Sequence, residues 1–77
     1  MNKARRKWLE DIIGKLEEQK DELDSLINEE QEAYDNMPES LQDGERGTAM
    51  YDSICDLESE RDSLEDVMQN LQEILER

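Results

Sequence analysis

The sequence predicts an all-α protein, two long helices folded back as an antiparallel, coiled-coil-like hairpin. Three observations carry that expectation. Apolar residues recur in steps of three and four along two stretches, the spacing of a helix–helix seam. A segment holding Pro38, Gly44 and Gly47 parts the stretches. Elsewhere the chain is strongly polar, with 23 Asp and Glu against nine Lys and Arg, a net charge of −14 over 77 residues.

Helix 1 is expected over 3–36. Asn2 is placed to cap it, because a side-chain oxygen there can accept an otherwise unpaired N–H of the first turn. At about 1.5 Å per residue such a helix is roughly 50 Å long. With Leu9 at heptad position a, the a/d seam reads Leu9, Ile12, Leu16, Gln19, Leu23, Leu26, Glu30, Ala33, Met37. The e positions add Ile13, Lys20, Ile27 and Tyr34, making the stripe wider than two strands require. Gly14 falls on the outer face, at a cost of roughly 1 kcal/mol against Ala.

The loop is expected over 37–43. Pro38 removes a donor and disfavours helical geometry at Met37, so helix 1 should stop there. Helix 2 is expected over 44–76, its start set after either Ser40 or Asp43. Its seam reads Met50, Ile54, Leu57, Arg61, Leu64, Met68, Leu71, Leu75, with Val67 and Ile74 at g as a second apolar edge. Two helices of equal length joined by a short loop lie antiparallel.

The whole chain, 1–77, reads as one domain. So short a chain buries little core alone and leans on a disulfide, a metal or a partner. Cys55 is the only cysteine and there is no histidine, which excludes an internal disulfide and a zinc site and leaves a partner. The edge formed by Ile13, Ile27, Tyr34, Val67 and Ile74 lies outside the predicted seam. A second hairpin covering it would give a homodimeric four-helix bundle. No cofactor is expected. Carboxylate pairs such as Glu17 and Glu18 are helix-surface neighbours without a shaped pocket, so no catalysis is expected either. The free thiol fits a reducing cytoplasm, and no apolar run is long enough to span a membrane.

Charge supplies the functional reading. Four of the nine bases lie within 3–7, so residues 8–77 hold 23 acids and five bases, a net of −18. Over a rod of roughly 50 Å that is about one charge per 3 Å, close to the ~3.4 Å per charge of one DNA strand. Such a surface rivals nucleic acid for a basic groove and does not itself bind nucleic acid directly. Asp52, Asp56, Glu60, Asp62, Glu65 and Asp66 are the candidate contacts on helix 2. The plainer reading is a solvated, solubilising face on a structural or oligomerisation module.

The basic start, Lys3, Arg5, Arg6 and Lys7, opposes the helix dipole and needs a partner. The end of helix 2, near Glu73 and Glu76, supplies one by ion pairing or dipole matching. The alternative is nucleic-acid phosphate, with Trp8 stacking on a base. Trp8, at the mouth of the hairpin, is an end-plug or a partner anchor. Tyr34, Met37, Leu41, Met50 and Tyr51 close the core beneath the loop or form a contact patch. Arg61 is expected to reach a Glu across the seam or to snorkel to its rim.

The start KARRKWLEDIIGKLEE, the turn YDNMPESLQDGERGTAM and the Leu-spaced second helix together resemble small uncharacterised acidic helical-hairpin proteins of bacteriophages and prophages. The resemblance covers nearly the whole chain, and the Pro-Glu-Ser-Leu-Gln turn is its specific part. It implies a phage origin, a bacterial host cytoplasm and, by analogy with small acidic phage proteins, an inhibitor of host nucleic-acid or defence machinery. It assigns no residue a role.

Overall fold

The computed structural model describes all residues from Met1 to Arg77. Helix α1 runs Lys3–Asp35, a one-turn helix α2 Glu39–Gln42, and α3 Glu45–Leu75; there is no strand. The molecule measures 58 × 15 × 13 Å, with a radius of gyration of 17.5 Å. A compact domain of this length would have one of about 11–12 Å. The protein is therefore a rod one helix pair thick, and nearly every side chain lies close to solvent.

Asn2 caps α1 through its side chain, which accepts the Arg5 N–H at 2.8 Å. The helix ends at Asn36, whose N–H donates to the Glu32 carbonyl, while the Met37 N–H donates to the Tyr34 carbonyl. No residue adopts a positive φ. Pro38, extended at φ −57° and ψ 143°, reverses the chain instead and leads into α2. The expected loop over 37–43 thus holds a helical turn. Ser40 sits inside that turn and caps nothing. Gly44, also extended, is the N-cap of α3, which begins at Glu45. Glu45 in its first turn suits the helix dipole.

The long helices pack antiparallel in one register. Lys20 lies across from Glu65, Asp24 from Arg61, and Tyr34 from Tyr51, three pairs whose numbers share the sum 85. On α3 the inward residues are those of the a/d seam. Gly47 and Ile54 are buried, and Met50, Leu57, Arg61, Leu64, Met68, Leu71 and Leu75 are half-buried.

On α1 the structure corrects the reading. The inward residues are Leu9, Ile13, Leu16, Lys20, Leu23, Ile27, Glu30 and Tyr34, which are positions a and e. Ile13 and Ile27 are 8% and 4% exposed, so they belong to the core and not to an outer edge. Tyr34 is half-buried against Tyr51, ring centroids 5.8 Å apart. The d residues Ile12, Gln19, Leu26 and Ala33 face outward. The helix is turned about 50° from the a/d expectation, at 100° per residue. Bulk explains the choice. Only one edge of α1 can face α3, and Ile13, Ile27 and Tyr34 enclose more apolar surface than Ile12, Leu26 and Ala33. Lys20 fits the same edge by covering the seam with its stem and carrying its charge out to Glu65.

Candidate interaction surfaces

The acidic surface is nearly uncompensated. Asp24, Asp62 and Glu65 are the carboxylates within ion-pairing distance of a base; the other twenty of the 23 have no such partner. The pairs form one cluster at mid-rod. Lys20 Nζ lies 3.4 Å from Asp24 and 3.9 Å from Glu65, and Arg61 reaches Asp24 at 3.4 Å and Asp62 at 3.5 Å. The carboxylate that meets Arg61 across the seam is thus an aspartate, not a Glu. Partial burial disfavours the Arg61 charge, and the Asp62 and Asp24 carboxylates outweigh that effect, holding the guanidinium above its ordinary pKa. Arg61 occupies a seam position because its stem packs there while its head is tied to these acids.

All six acids singled out on helix 2, Asp52, Asp56, Glu60, Asp62, Glu65 and Asp66, are exposed. They do not make one narrow patch. At 100° per residue they wrap the outer half of α3, with Asp56 and Glu60 on one flank and Asp62 and Glu65 on the other.

At the open end of the hairpin, Arg6 crosses from α1 to the end of α3. Its guanidinium donates to the Leu75 carbonyl at 3.1 Å and to the Arg77 main-chain oxygen at 2.7 Å. These oxygens lie where the α3 dipole is negative and its carbonyls lack intrahelical partners. The basic start is therefore used in part for dipole matching, and none of Lys3, Arg5, Arg6 or Lys7 pairs with Glu73 or Glu76. Trp8 is 67% exposed, so it does not plug the end of the single hairpin. It lines a shallow apolar groove with Met1, Arg5, Leu9, Ile12, Leu71 and Ile74.

At the loop end, Ala33, Met37, Leu41, Arg46 and Met50 line a second apolar hollow, while the two tyrosines pack on the other side. Cys55 is an exposed free thiol. Hydrogen bonding to Cys55 and repulsion from its thiolate hold the Tyr51 phenol above its ordinary pKa. No three carboxylate or thiol groups converge as a metal site, and no helix is long and apolar enough to cross a membrane.

Both hollows lie on one face. Positions seven apart share a face, so Ile12, Gln19, Leu26 and Ala33 on α1 run beside Ile74, Val67, Glu60, Ser53 and Arg46 on α3. That face carries one acid, Glu60, on a chain with 23. Sequence reasoning found Val67 and Ile74 but missed Ile12 and Leu26, taking them as seam. Comparing the bulk of the d and e sets was the signal that would have found them.

Comparison with protein-family models, with curated proteins and with solved structures finds no match.

Proposed function

We propose that the protein is a non-enzymatic inhibitor that occupies a basic groove on a host nucleic-acid-handling or defence protein. One observation carries this reading: twenty carboxylates without an ionic partner along a 58 Å rod. Residues 8–77 carry −18, about one net charge per 3 Å of rod, near the ~3.4 Å charge spacing of a nucleic-acid strand. Excess like charge works against a small fold by self-repulsion, so its retention calls for a use. The proposed target belongs to a bacterial cytoplasm, the compartment that the resemblance to phage hairpins implies.

The test is capture from nuclease-treated bacterial lysate at low and high salt. The expected result is a DNA- or RNA-binding protein held at low salt and released at high salt. Replacing Asp52, Asp62 and Asp66 by Lys should then weaken capture sharply. Recovery of the bait alone, or capture indifferent to those changes, overturns the reading. A structural or oligomerisation module is the second reading, and the apolar face favours it.

A further inference from the structure

We infer that a second copy of this chain covers the apolar face, with the loop ends of the two hairpins at opposite ends of a four-helix bundle. The pairing stands apart from the proposed target, since most of the acidic surface stays outside in either case.

The single hairpin is short of core. Its buried apolar side chains are Ile13, Ile27 and Ile54. Each contributes about 1.5–3 kcal/mol, while ordering the backbone costs about 1–2 kcal/mol per residue. Meanwhile Ile12 is 40%, Leu26 48%, Val67 48% and Ile74 36% exposed on one face. Apolar side chains in one line along a rod mark an interaction surface more than scattered ones do. A second hairpin of the same length, laid along the 58 Å rod, covers all four side chains at once.

Charge allows a second copy on this flank and selects its direction. This flank is where two chains of −14 meet with the fewest opposed carboxylates. A two-fold pair uses the same patch on both copies, and two arrangements are open. An axis along the rod lays α1 on α3 of the second copy. By the register, that sets Glu22 and Glu29 beside Glu60 and Asp56, like against like. An axis across the rod through Gln19, the midpoint of α1, lays α1 on α1 and α3 on α3. Ile12 of one copy then meets Leu26 of the other, and Val67 meets Val67 near the axis. Lys15, which flanks this face toward the open end, meets Glu22 of the second copy. The second arrangement puts Lys15 against Glu22 in place of like against like and matches Ile12 with Leu26 and Val67 with Val67, while Ile74 falls beside Glu60 of the second copy.

The test begins with light scattering after size exclusion, where twice the 9.1 kDa chain mass is expected. Leu26→Glu should raise the dissociation constant on the order of 100-fold or more, since each dimer loses two buried leucines. Tyr51→Glu, on the opposite face, should leave the dimer intact. Circular dichroism checks that each variant remains helical. Direction is read with Gln19→Cys in a Cys55→Ser background, which leaves the seam untouched. Oxidation should give an interchain disulfide, because Gln19 lies on the axis only when α1 packs on α1. A mass of one chain overturns the proposal. So does a dimer broken by Tyr51→Glu and not by Leu26→Glu. A dimer without a disulfide at residue 19 overturns its direction. Asp52, Asp62 and Asp66, which test the acidic target, lie off this face, so the two readings fail separately.

Discussion

The two ends of the hairpin are closed in different ways. At the loop end the chain covers itself. Gly47 is buried under α2, the Gln42 side chain donates to the Tyr34 carbonyl at 2.8 Å, Tyr34 packs on Tyr51, and Ile54 is 2% exposed. At the open end one side chain, Arg6, ties α1 to the last carbonyls of α3, while Trp8, Ile12 and Ile74 stay outside. The rod is thus anchored where the chain turns and left to outside partners where it opens. Opening should accordingly start at the end with fewer buried contacts. The sequence contains its own reporters of the contrast. Trp8 is the only tryptophan and sits at the open end, and the only tyrosines, Tyr34 and Tyr51, sit at the loop end.

The largest break in that contrast is Gly47→Ala. A Cβ at residue 47 would collide with the Gln42 and Leu41 backbone. Backbone of a helical turn yields less readily than a flexible side chain, so α2 must lift away. Overpacking typically costs 1–3 kcal/mol, and about 3 kcal/mol is expected here. Urea unfolding should show it, with the tyrosine signal lost well before that of the parent. A loss under about 0.5 kcal/mol, ordinary for a surface change, would show that α2 does not pack as described.

Gln42→Ala acts at the same end without a clash. It removes the bond to the Tyr34 carbonyl and with it the side-chain tie between α2 and α1. About 1 kcal/mol should be lost, with faster amide exchange around Tyr34 and little change at Trp8. Gly14→Ala tests the other half of the rod and has the opposite sign. Nothing lies within 4 Å of a Cβ there. The change should therefore gain about 1 kcal/mol of helix propensity, seen as a higher urea midpoint. Loss of stability at residue 14 would mean that the outer face of α1 is covered.

The same contrast explains what could be read from the chain. The two helices and the break between them were legible because three–four spacing and Pro38 act locally. The facing edge of α1 was not, because that helix carries apolar residues at both d and e: Ile12 beside Ile13, Leu26 beside Ile27. Its periodicity fits two seams about equally well, and only α3 decides, through Arg61 on Asp24 and Tyr51 on Tyr34. The one-turn α2 was hidden for another reason. Four residues are too few to show a period, and its cap is the Pro38 backbone and not a side chain. The acidic contacts were legible as composition. Their division between flanks of α3 follows from the seam and needed the structure.

The smallest effect expected is confined to the loop end and is read through pH. The Tyr51 phenol is held above its ordinary pKa by hydrogen bonding to Cys55 and by repulsion from its thiolate. As pH rises past the ordinary phenol range, unfolded chains lose this proton while folded chains keep it. Fewer protons are then bound in the unfolded state, so stability falls with rising pH through that window and is unaffected below it. Cys55→Ala removes the two largest causes at once and leaves the smaller effects of burial, Tyr34 and Glu58. It should bring the Tyr51 midpoint down toward that of a free phenol in an absorbance titration of tyrosinate and flatten the alkaline fall in stability. Trp8 fluorescence at the open end should not register the change. A Tyr51 midpoint unmoved by Cys55→Ala would mean that the thiol and the phenol do not interact, and that the tyrosine pair alone closes this side of the loop end.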